Sequence, residues 1–84
     1  MSTFYILYSK TADKYYVGAT AGAIEERLHR HNTYHKKGFT HQATDWMVVY
    51  SQEFPEKVQA FAREREVKAW KSRKAIEKLI SQST

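Results

Sequence analysis

Cysteine is absent from the sequence. That excludes a disulfide framework and any thiolate metal site, and it is compatible with a reducing compartment. No run of apolar residues is long enough to cross a bilayer. Met1 leads directly into strand-like sequence, without the basic segment and apolar stretch of a secretory leader. The expectation is a soluble, cytoplasmic protein with no membrane partner. Proline occurs once, at Pro55, and no repeat, low-complexity tract or linker rich in Pro, Gly or Ser interrupts the chain. Its 84 residues suit one small domain spanning residues 1–84. What is present is a hydrophobic share of 42% with 14% aromatics, enough for a compact core, and a marked basic excess. Fourteen Lys and Arg against nine Asp and Glu give a net charge of +5, which favours a polyanionic partner, nucleic acid before membrane.

The most informative stretch is Phe4 to Gly18, FYILYSKTADKYYVG. Phe4-Tyr5-Ile6-Leu7-Tyr8 and Tyr15-Tyr16-Val17 are β-branched and aromatic runs suited to strands. The polar connection Lys10-Thr11-Ala12-Asp13 favours an antiparallel hairpin. If Ser9 faces Lys14, then Leu7 faces Tyr16 and Tyr5 faces Gly18. Tyr5 and Tyr16 then share one face as diagonal neighbours, whereas a one-residue slip would separate them. Gly18 would leave space beside Tyr5, so the two phenols could form a small polar site. Tyrosines in strands also serve as packing residues with the hydroxyl at the rim.

Beyond the hairpin, Ala23 to His31 has helical spacing. Ile24, Leu28 and His31 lie on one face, Arg27 lies beside them, and Glu25 and Glu26 suit the positive end of the helix dipole. Residues 32–45 are polar, without periodicity, and read as a loop that carries Lys36 and Lys37. Trp46 to Glu53 reads as a third strand covered on both faces. Pro55 opens a long helix, running to about Trp70, with a buried stripe of Val58, Phe61, Ala62 and Ala69 and with Glu64 on its flank. Lys71 to Lys74 breaks the pattern, and Ser72 is a plausible cap for a short helix over Ala75 to Ile80 that turns Ile76, Leu79 and Ile80 inward. The expected fold is α/β, a small antiparallel three-stranded β-sheet flanked by helices in the order β-β-α-β-α-α.

The chain resembles the GIY-YIG nuclease family, and small stand-alone bacterial members in particular. The family's hairpin triplets match Thr3-Phe4-Tyr5 and Tyr16-Val17-Gly18, with Thr3 standing where the first glycine would be. Ile24 to Asn32 resembles the family's post-hairpin helix, which carries an arginine at the Arg27 position and often a histidine at the His31 position. Ala60 to Trp70 resembles the helix that carries the metal-binding glutamate, at Glu64. The element order is that of the GIY-YIG fold, and the resemblance covers nearly the whole chain.

The resemblance implies a metal-dependent endonuclease acting on DNA, in repair, recombination or restriction. Hydrolysing a phosphodiester requires a base for the attacking water, a cation for the phosphorane charge and stabilisation of the leaving oxygen. The implied catalytic set is Tyr5, Tyr16, Arg27, His31 and Glu64, with either tyrosine open as the general base and Tyr5 favoured. Glu64 would hold one Mg²⁺ or Mn²⁺. Lys36, Lys37, Lys71, Arg73 and Lys74 are candidate phosphate contacts, giving backbone- or structure-directed binding rather than sequence reading. That leaves room for a protein partner that supplies specificity. Each residue also has a structural alternative. Arg27 could pair with a nearby glutamate, His31 could be a satisfied core-edge histidine, and Glu64 could pair with Lys68 at i+4. A module that keeps the fold and binds nucleic acid or a protein without turnover is the competing reading. His29, His35 and His41 have no spacing that suggests zinc.

Overall fold

The hairpin forms where its composition places it. In the computed structural model, which describes residues 1–33 and 44–82 (with the side chains of His31 and Thr33 outside the described part), β1 is Ser2–Ser9 and β2 is Lys14–Thr20. The turn between them sets Asp13 at φ 53°, a left-handed conformation that Asp tolerates better than most residues. The register follows from that turn: Ser9 opposes Lys14, Leu7 opposes Tyr16 and Tyr5 opposes Gly18.

β3 (Met47–Phe54) pairs antiparallel with the other side of β1, so the strand order is β2-β1-β3 and β1 is central. Because β1 takes the centre, it is the strand buried on both faces. Phe4 and Ile6 enter one core cluster with Val17 and Val67, while Tyr5 and Leu7 enter a second with Trp46. β3 was expected to be covered on both faces. It is an edge strand instead, with Met47 and Val48 exposed. Trp46 precedes the strand and is buried; its N–H donates to Asn32 Oδ1 at 2.8 Å, and Asn32 Nδ2 donates back to its carbonyl at 3.1 Å.

α1 (Ile24–Thr33) lays Ile24 and Leu28 against the Tyr5–Leu7 cluster. α2 (Lys57–Trp70) starts two residues after Pro55, with Glu56 as its cap and the Gln59 side chain accepting the Glu56 N–H at 3.2 Å. Its buried positions are Ala60 and Val67, not the stripe read from apolar residues, and Val58 is 70% exposed. The reason is a guanidinium in a core-facing position. Arg63 lies between them in the helical repeat, 5.9 Å from the Phe4 ring centroid and 5.6 Å from that of Trp70, and its stem supplies apolar cover. Lys71 ends α2 at φ 48°, ψ 39°. α3 (Arg73–Gln82) begins two residues earlier than expected; Ser72 Oγ accepts the Ala75 N–H at 3.2 Å. Ile76, Leu79 and Ile80 pack on the Phe4–Ile6 cluster as the spacing predicts. No helix among the described residues is long and apolar enough to cross a membrane.

Candidate active site

Alternation along β1 and β2 puts Tyr5, Tyr16, Gly18 and Thr20 on one face, the α1 side of the sheet. Tyr5 is only 2% exposed. A Cβ added to Gly18 would lie 2.6 Å from both Cζ and the hydroxyl oxygen of Tyr5, and 3.0 Å from Cε1 of Tyr16. The residue opposite Tyr5 therefore has no room for a side chain, and the phenol end of Tyr5 occupies the space that Gly18 leaves. The Tyr5 and Tyr16 ring centroids are 6.5 Å apart.

Three charged or ionisable neighbours act on the Tyr5 hydroxyl. Burial, the largest influence, pushes its pKa up to about 12, and the adjacent Tyr16 adds to that. The Arg27 guanidinium pulls it down, and the Glu64 carboxylate pushes it up. Tyr16, Arg27 and Glu64 thus converge electrostatically on one phenol, although they come from β2, α1 and α2.

Local contacts position each of them. Thr20 ends β2 on the Tyr5 face; its Oγ1 accepts the Gly22 N–H at 3.0 Å and the Arg27 Nε–H at 3.4 Å. A threonine at the strand end thereby shapes the turn into α1 and aims the arginine. Arg27 borders a cavity of about 280 Å³ that Arg30 and Lys57 also line. Sequence reasoning passed over Arg30 and Lys57; Arg30 follows Arg27 by three residues, a helical neighbour spacing that could have found it. Lys57 is distant in sequence and carried no such signal.

Glu64 stands on α2 between Ala60 and Val67, with its side chain 18% exposed. It accepts from Lys68 Nζ at 2.9 Å, so the anticipated i,i+4 pair is present at the same carboxylate that acts on Tyr5. Lys68 Nζ also lies 5.9 Å from the Tyr16 ring centroid. Glu66 diverges to solvent and pairs with Arg63. Among the described residues no three His, Cys, Asp or Glu side chains cluster as metal ligands.

The remaining candidates are placed elsewhere. His31 lies within α1, and its side chain is outside the described residues, as are Lys36 and Lys37. Arg73 is engaged: Nη2 donates to Asp13 Oδ1 at 2.7 Å, Nη1 to the Asp13 carbonyl at 3.0 Å and Nε to Glu77 Oε2 at 3.2 Å. It also lies 5.3 Å from the Tyr15 ring centroid. Its hydrogen bond holds the Asp13 carboxyl below the usual carboxylate range. Arg73 therefore ties α3 to the hairpin turn, a contact spanning sixty residues that no local pattern announces. Lys71 and Lys74 are exposed beside it. A second tie also escaped the sequence reading. Asp45 accepts from Ser9 Oγ at 2.5 Å and from the Thr11 N–H and hydroxyl at 3.0 Å each, fixing the hairpin turn to the segment before Trp46.

Compared with known proteins, the chain matches the family model of the GIY-YIG catalytic domain over residues 1–78. Neither a curated protein nor a solved structure matches it. The matched span runs from β1 into α3 and takes in Tyr5, Tyr16, Gly18, Arg27 and Glu64, and with that extent the chain belongs to the GIY-YIG catalytic domain family, a family of nucleases.

Proposed function

We propose that the chain is a metal-dependent endonuclease that hydrolyses phosphodiester bonds in DNA. The observation that carries this reading is the buried Tyr5 phenol over Gly18, acted on at once by Tyr16, Arg27 and Glu64. Nucleases of this family generally use a divalent metal ion. A mostly buried carboxylate outside any group of three ligands suits Mg²⁺ or Mn²⁺, which keep most of their water and take substrate phosphate oxygens as further ligands; it does not suit structural zinc. Glu64 would hold that ion, whose charge when bound supports the scissile phosphate and the leaving oxygen. Arg27 presents a planar, permanently charged fork to the phosphorane oxygens. Tyr5 takes a proton from the attacking water. Tyr16 crowds the same space and holds the phenol in place, and His31 relays the proton.

The raised pKa of Tyr5 sets the pH behaviour. With a pKa of about 12, the phenol is protonated at neutral pH, and its basic form grows about tenfold per pH unit. Cleavage by this base therefore accelerates with rising pH. Lys36, Lys37, Lys71 and Lys74 add sequence-independent phosphate contacts, while Arg73 contributes through its hold on the hairpin turn. With no cysteine to protect, the chain suits the cytoplasm, where repair, recombination or restriction would use it, alone or beside a partner that supplies specificity.

The Glu64–Lys68 pair also favours a second reading, a nucleic-acid-binding module that keeps the fold without turnover. One experiment separates the two. Labelled duplex, branched and single-stranded DNA are incubated with Mg²⁺ or Mn²⁺ across pH 7 to 9. Metal-dependent cleavage whose rate rises about tenfold per pH unit is the expected result. Binding without cleavage of any substrate would support the module, and a rate already flat at pH 7 would move the base away from Tyr5.

A further inference from the structure

A second cavity is separate from the Arg27 hollow. It measures about 640 Å³, within the ~300–1,000 Å³ range of small-ligand sites, and it lies where β2 meets the α2–α3 connection. Its floor is the buried Val17 and Val67, and its apolar wall comes from Ile76, Tyr15 and Tyr16, all half-buried. Lys71 stands at this cavity. Two of its lining residues, Tyr16 and Lys68, also belong to the candidate active site, so the cavity adjoins that site.

Lys71 is the unusual residue. It occupies the left-handed position that ends α2, where glycine is the relaxed choice. A lysine there carries backbone strain, and strain of this kind collects at ligand sites. Among the described residues no ion pair or hydrogen bond engages its ammonium. Arg73, by contrast, is consumed by Asp13 and Glu77 and forms a wall. The cavity thus offers apolar and aromatic surface of the kind that takes a nucleobase, next to one uncommitted cation of the kind that takes a phosphate.

We propose that this cavity seats one unpaired nucleotide of the substrate strand, the base against Ile76 and the half-buried rings of Tyr15 and Tyr16 and a flanking phosphate at Lys71. The inference rests on the nuclease reading for its place beside the site. A nucleobase stacked inside a duplex cannot enter, so the cavity selects DNA with an unpaired nucleotide near the scissile phosphate.

The test measures binding with the metal chelated, so its outcome stands apart from cleavage. The wild-type protein is titrated with a blunt duplex and with the same duplex carrying a short single-stranded flap, with 2-aminopurine as the first unpaired base. The flapped duplex is expected to bind about five- to tenfold more tightly, with a change in 2-aminopurine fluorescence that is absent when the probe is placed in a paired position. Lys71→Gly relieves the backbone strain and is expected to fold with an unchanged or higher melting midpoint. In that variant the ratio of flap to duplex affinity should fall towards one. Equal wild-type affinity for the two DNAs would overturn the proposal. So would a Lys71→Gly variant that loses affinity for both alike while keeping their ratio, since that marks a solvated cation and not a seat.

Discussion

Alternate residues of β1 build two surfaces of opposite character. Phe4 and Ile6 face α2 and α3 through Val67, Ile76, Leu79 and Ile80, and that face is closed by apolar contact. Tyr5 and Leu7 face α1 and Trp46, and there one phenol is buried among Tyr16, Arg27 and Glu64. The strand and its pairing are shared, so the difference lies in what the flanking helices bring. Burying Phe4 and Ile6 is favourable by about 2 kcal/mol each, whereas the buried phenol hydroxyl adds little to stability. The closed face therefore supports the stability on which the polar face draws.

Substitutions can break that contrast, beginning with the largest effect. Phe4→Ala empties a fully buried position on the closed face and should cost about 3–5 kcal/mol. In a domain this small that lowers the melting midpoint by at least ~12 °C, read by thermal denaturation. Tyr5→Phe, one residue along, should barely move it. Gly18→Ala attacks the polar face through sterics alone. The new methyl would meet the Tyr5 ring at 2.6 Å, so the phenol must shift, at about 1–3 kcal/mol. A melting midpoint equal to wild type would show that the hydroxyl is not lodged over Gly18. Lys68→Ala sharpens the picture with the smallest effect. It frees Glu64 from a half-exposed ion pair worth about 0.3–0.5 kcal/mol. Direct titration should then show Mn²⁺ binding about twofold more tightly, and weaker binding would mean that Lys68 supports the ion.

Much of this was legible from local rules. The turn residues and the period-two alternation placed Tyr5 opposite Gly18 and Leu7 opposite Tyr16, as the structure has them. Helix spacing put Ile24 and Leu28 on the sheet. The failures share a cause, since each depended on a contact between residues far apart in the chain. β3 looked interior by composition, yet β1 occupies the centre and leaves Met47 and Val48 exposed. The stripe of α2 was misread because Arg63, a charged residue, lies over Phe4 in the place of an apolar one. Neither the Arg73–Asp13 tie nor the Asp45–Ser9 bond leaves a trace at short spacing. For the candidate site, the motif named Tyr5, Tyr16, Arg27 and Glu64, whose charges bear on one phenol, while the Arg27–Thr20 contact and the double role of Lys68 required coordinates.

The most direct test of the polar face as a catalytic centre compares two carboxylates on one helix. Glu64 acts on Tyr5, and Glu66 pairs with Arg63 at the surface. Purified Glu64→Ala, Glu66→Ala and Tyr5→Phe proteins are assayed for Mn²⁺-dependent cleavage of the best wild-type substrate, with melting midpoints recorded alongside. The expected result is loss of cleavage in Glu64→Ala and Tyr5→Phe, each folded, with Glu66→Ala near the wild-type rate. Wild-type cleavage by both Glu64→Ala and Tyr5→Phe would contradict the assignment and leave the buried phenol as a packing residue.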